Sequence, residues 1–113
     1  MYILHSVLKK DFDITNKYYG EESIKRSGFI HCSDLDTYKL VAPNFRDEEE
    51  ERILLVIDTD KVDAEIKWED GGGLDFPHIY GLLNTDSIVE VLPHEWSGDK
   101  VWIPDKRLEK YSK

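Results

Sequence analysis

The run ILLVI, Ile53–Ile57, sets five apolar residues side by side with no polar break. Successive side chains of a strand point to opposite faces, so a strand built from such a run has two apolar faces and must be covered on both. Arg52–Asp58 is therefore predicted to be an interior strand, and the other elements must supply its cover. The run is far shorter than the ~20 residues a helix needs to cross a bilayer. With 113 residues the chain has material for one core, not two.

The candidate cover is made of short strands. Tyr2–Val7 alternates so that Ile3, His5 and Val7 share one face, with Tyr2, Leu4 and Ser6 on the other. Phe29–Cys32 is a brief strand, and Glu65–Glu69 alternates with Ile66 and Trp68 inward. Ser87–Leu92 and Lys100–Ile103 complete the set. Lys9–Ser27 lacks a period and predicts a loop with a helical turn at Glu21–Lys25. Ser33-Asp34-Leu35-Asp36 predicts a helix start, a capping side chain followed by acidic first-turn residues. That helix carries Leu35, Tyr38, Leu40 and Val41 and is clipped near Pro43. Pro104–Lys113 reads as a polar, helical tail. Strand–helix alternation is absent, so the expectation is an α+β domain with a mostly antiparallel sheet and one or two short helices.

A net charge of −9, from 15 basic and 24 acidic residues, disfavours general binding to nucleic-acid phosphates. DEEEE, Asp47–Glu51, concentrates the charge in a segment expected to be a solvated loop. The N-terminus shows no basic stretch followed by an apolar run, and the lone Cys32 has no internal disulfide partner. Both observations predict a cytoplasmic protein without membrane attachment.

Chemistry-bearing residues cluster in two motifs. In HCS, His31 and Ser33 share a face of an extended segment, and in HIY, His78 and Tyr80 do the same. Imidazole beside hydroxyl is a pair that hydrogen-bonds sugar hydroxyls or phosphate oxygens, and His moves protons near neutral pH. The same groups also occur at strand ends satisfied by nearby backbone. The glycine-rich segment Gly71–Gly81 holds neither GxGxxG nor a Gly-Lys-Ser/Thr phosphate loop. Gly71–Gly73 therefore reads as a structural turn, or as a place where backbone approaches a ligand. His5, His31, His78 and Cys32 lack the paired short spacings of zinc sites, so no metal is expected. Cys32 faces away from His31, which makes it a small core residue and not a nucleophile. Trp68, Trp96 and Trp102 read as packing residues, with stacking on a base or nicotinamide as the alternative.

GFIHCS (Gly28–Ser33), LLVID (Leu54–Asp58), KWE (Lys67–Glu69) and FPHIYG followed by IVEV (Phe76–Val91) stand in the order found in a bacterial family, domain of unknown function 952. His5 within YILH and Asn44-Phe45 resemble the same pattern. The resemblance spans about residues 2–92 and implies a domain at 1–95, with 96–113 as an extension packed on or trailing it. The chain departs from the family at Gly81-Leu82-Leu83, where Gly-Pro-Leu is usual, and in Lys100–Lys113.

That family is regarded as similar in fold to the ADP-ribosyltransferases, whose split antiparallel sheets hold NAD in a cleft. The resemblance implies an ADP-ribosyltransferase-like enzyme acting on NAD or a nucleotide-derived substrate, with no tightly bound cofactor. A non-catalytic module that binds a nucleotide or small metabolite is the alternative. His31, His78 and Glu69 become the candidate catalytic residues, with Glu69 preferred to Glu90 because it borders the glycine run. His5, Ser33 and Tyr80 become candidate substrate contacts, and His5, His31, Ser33, His78 and Tyr80 are expected to share one concave surface. Transferases of the His-Tyr-Glu type carry the Glu last, whereas Glu69 here precedes Tyr80.

Overall fold

The computed structural model describes residues 1–112. In chain order the strands are β1 (Tyr2–Leu8), β2 (Tyr18–Tyr19), β3 (Ile30–His31), β4 (Arg52–Asp58), β5 (Glu65–Asp70), β6 (Asp75–Tyr80), β7 (Leu83–Asn84), β8 (Ile88–Pro93), β9 (Glu95–Trp96) and β10 (Trp102–Ile103). Two short α-helices, α1 (Glu21–Ser27) and α2 (Tyr38–Val41), and several 3-10 turns connect them.

β4 is the middle strand of an antiparallel sheet in the order β1-β4-β8, as its apolar run requires. Its odd residues Ile53, Leu55 and Ile57 join Ile3 and Val7 in one buried cluster with Ile30, Cys32, Ile79 and Leu83. Its even residues Leu54 and Val56 join Leu4 and Leu92 in a second cluster with Tyr38, Ala42 and Leu108. A second antiparallel sheet, β3-β6-β5, closes the first cluster through Ile30, Ile79 and Ile66. Pairing across this sheet leaves Glu69, His31, His78 and Tyr80 on its other face.

Main-chain bonds exchanged by Leu4 and Ser33, at 2.7 and 2.8 Å, join the two sheets. This pairing overrides the expected cap at Ser33. Asp34 takes over, accepting bonds from the Thr37 amide at 2.7 Å and hydroxyl at 2.8 Å, and the helix begins only at Tyr38. Around Pro43 the chain tightens into a 3-10 turn, Ala42–Phe45, and Leu40 is exposed rather than packed.

The glycine run is the turn of the β5–β6 hairpin. The Gly71 amide donates to the Leu74 carbonyl at 2.8 Å, and the Gly73 amide to the Asp70 carboxylate at 2.8 Å. Gly72 and Gly73 have φ of 96° and 98°, a region costly for any side chain. Trp68 departs from expectation: it is 41% exposed, because β5 is the edge strand and its far end passes the limit of the core. At the C-terminus, β9 and β10 form a hairpin and a 3-10 helix, Lys106–Tyr111, buries Leu108 on the second cluster beside Trp96, Trp102 and Tyr111. The expected tail thus has helical character, with Lys113 outside the described residues.

Candidate functional site

Where the two sheets meet, at the Leu4–Ser33 bridge, a cleft of about 1030 Å³ opens. β1, His31–Ser33, the β5–β6 turn, α1 and the α2 segment all contribute to its lining. His5, His31, Ser33 and His78 all line it. Tyr80 and Glu69 do not, although they occupy the same face of the second sheet as His78. On that face the Phe29 ring stacks on His78 at 4.1 Å and lies 5.1 Å from Tyr80.

Each histidine is held differently. His78 contacts the Glu69 carboxylate through Nδ1 at 2.8 Å, and the Tyr80 hydroxyl donates to the same carboxylate oxygen at 2.6 Å. These two bonds, Tyr80 foremost, hold the Glu69 carboxyl below its usual range, while Glu69 pushes the Tyr80 phenol up. An ionised carboxylate only accepts, so Nδ1 of His78 carries a proton, and in the neutral ring Nε2 keeps its lone pair. His31 is exposed and stands cross-strand from His78, with ring centroids 5.3 Å apart. Partial burial and the neighbouring His78 lower its pKa.

His5 is buried, with both ring nitrogens engaged: Nδ1 lies 2.6 Å from the His31 carbonyl oxygen and Nε2 lies 2.7 Å from the Tyr19 hydroxyl. Burial drives its pKa down to about 4, assisted by Arg52, so the ring is neutral at physiological pH. Its partner Tyr19 lines the cleft beside it. Sequence reasoning missed Tyr19 because it sits in an aperiodic segment. Pairing of β2 with β7 fixes it, opposite Leu83, with the Phe12 ring 5.5 Å away.

Arg52 was missed as well. It lines the cleft with its guanidinium 3.8 Å from the Phe45 ring, donates to Ser6 at 3.2 Å and makes two 2.7 Å bonds to Glu48. Its position as the one basic residue between an acidic run and the central strand was the available signal. The rest of that acidic run is exposed, as expected of a solvated loop. The fourth histidine, His94, is buried beyond the second cluster, where its Nε2 meets the Tyr38 hydroxyl at 2.7 Å and burial lowers its pKa to about 4. Cys32 is buried in the first cluster, and burial pushes its thiol far up, so it supplies no thiolate. Among the described residues no group of three His, Cys, Asp or Glu is placed to hold a metal ion. No helix among them is long and apolar enough to cross a membrane.

A family described as protein of unknown function, DUF952, matches residues 6–91. The chain belongs to that family. No curated protein matches it. The crystal structure of protein CC0527 from Caulobacter crescentus is similar, with a TM-score of 0.79 and 22% identity over 98% of this chain and 97% of that one. A double mutant of CC0527 gives the same values. Its solution NMR structure has a TM-score of 0.73 and 20% identity, covering 97% of this chain and 95% of that one. At such identity the likeness concerns the fold. It places this DUF952 chain among small α+β domains of antiparallel sheets and short helices.

Proposed function

We propose that this DUF952 protein is an enzyme acting on NAD or a nucleotide-derived small molecule on an ADP-ribosyltransferase-like scaffold, with His78 as the proton-transfer group. The observation that carries the reading is the Glu69–His78 bond of 2.8 Å. A carboxylate fixing Nδ1–H leaves Nε2 as a base, and it does so at a cleft whose volume suits a dinucleotide-sized ligand. In the proposed step an acceptor hydroxyl or water attacks the ribose carbon bonded to nicotinamide. The carbon–nitrogen bond breaks with its electron pair leaving on nicotinamide, and the acceptor's proton passes to Nε2 of His78. Ser33 and His31 supply hydroxyl and imidazole contacts, Tyr19 stands before His5, and Glu69 acts as a positioning residue. Tyr80 braces Glu69 rather than stacking on the ligand.

A second reading, a binding module without turnover, is favoured by one fact: Glu69 is absent from the cleft lining, and the carboxylates that do line it, Asp11 and Asp70, are both exposed. Incubation with NAD and chromatography for released nicotinamide separates the two. The enzyme reading expects turnover, and Glu69→Ala should lower kcat roughly 100-fold with KM little changed. Binding without release supports the module; absence of binding removes both readings.

A further inference from the structure

The bonds around His5 have a fixed direction. The His31 carbonyl oxygen only accepts, so the 2.6 Å contact requires a proton on Nδ1 of His5. Burial keeps the ring neutral, with its pKa at about 4 in the field of Arg52 and His31, so it holds one proton and Nε2 is bare. The Tyr19 hydroxyl, 2.7 Å away, must therefore donate its single proton to Nε2. Reversing this order would require the His31 carbonyl to give up its donor, and β3 is held in place by its pairing with β6. Nor does Tyr19 ionise: burial raises it to about 12.

We infer that Tyr19 is a ligand-binding residue of the cleft and that it offers only an acceptor there, so the ligand group seated against it is a hydrogen-bond donor. Such a group is a sugar hydroxyl or a carboxamide NH2, and a phosphate is excluded. The inference rests on the reading of the cleft as a nucleotide site. Tyr19 is half-buried and lines the cleft, and its oxygen keeps lone pairs beyond the bond to His5. The Asp11 carboxylate lines the same cleft and adds acceptors to it. Two acceptors together suit the two donors of a ribose diol. Arg26, on α1 at the cleft edge, supplies positive charge for the anionic part of the same ligand.

Long-range proton–nitrogen NMR of the uniformly labelled full chain tests the bond direction without any ligand. The expected spectrum has His5 protonated at Nδ1 with a hydrogen-bonded, unprotonated Nε2, and in Tyr19→Phe that Nε2 signal moves toward the free-acceptor position. A His5 ring protonated at Nε2 overturns the proposal. The ligand half uses ADP-ribose and an ADP derivative carrying a hydroxyl-free tetrahydrofuran in place of the terminal ribose. Wild-type protein should bind ADP-ribose roughly tenfold more tightly than the derivative, and Tyr19→Phe should erase that difference while leaving the derivative's affinity unchanged. Equal binding of both probes by the wild type overturns the ligand role even if Tyr19→Phe does not fold. Failure of the wild type to bind either probe up to about 10 mM defeats the nucleotide reading itself, and the spectra still decide the bond direction.

Discussion

The sheets β1-β4-β8 and β3-β6-β5 are both antiparallel, yet they handle their polar groups in opposite ways. In the first, β4 is apolar on both faces and its one deep imidazole, His5, has both nitrogens committed to protein partners. In the second, only one face packs, and the other carries His31, His78, Glu69 and Tyr80 within reach of solvent. The first sheet supplies stability, because burying each large aliphatic side chain contributes about 1.5–3 kcal/mol. The second keeps its polar groups on a face that the core does not use. The cleft forms where the two meet, at the Leu4–Ser33 bridge.

Acid should break the first region before the second. His5, within β1, and His94, just past β8, have folded pKa values of about 4, below the ordinary 6.5. The unfolded chain then takes up protons first as pH falls. Their contribution to stability is complete above about pH 6.5 and is lost on the way down to about 4, by roughly 3 kcal/mol for each histidine at the lower end. Urea-unfolding midpoints measured between those limits should fall steeply; a flat profile would mean that neither ring is held neutral by burial.

A pair of truncations sharpens the same contrast. Leu55, fully buried in β4, should cost about 3 kcal/mol as Leu55→Ala, in the range found for buried leucines. Trp68, 41% exposed on edge strand β5, should cost under ~1 kcal/mol as Trp68→Ala despite the larger side chain. Thermal melts of the two variants check the order, and a reversal would mean that β5 bears on the core more than its exposure shows.

How much of this was legible in the sequence follows the same division. The interior position of β4 could be read from Ile53–Ile57, since five apolar residues leave no face for water. The alternation of β1 gave both of its faces, and the glycine run read correctly as a turn. Ser33 was misread as a cap because local propensity cannot register a long-range pairing with Leu4. Trp68 was misread because period-2 alternation assigns a face without saying where the core ends. In the site, HCS and HIY could be found because their polar residues recur two apart on strands. Tyr19, Arg52 and Phe29 could not, since each matters through a tertiary contact: a bond to His5, a stack on Phe45, and a ring laid over His78.

Titrating ADP-ribose into labelled protein, with the imidazoles of His5, His31 and His78 followed and His94 as internal reference, decides whether the three respond to one nucleotide-type ligand. His31 and His78 should shift together, His5 should shift through Tyr19, and His94, outside the cleft lining, should stay in place. The His31→Ala variant, an exposed position, should keep the amide spectrum of the fold and lose the response of His78. Unmoved imidazoles up to about 10 mM ligand, or shifts of His94 equal to the others, would contradict a shared nucleotide site.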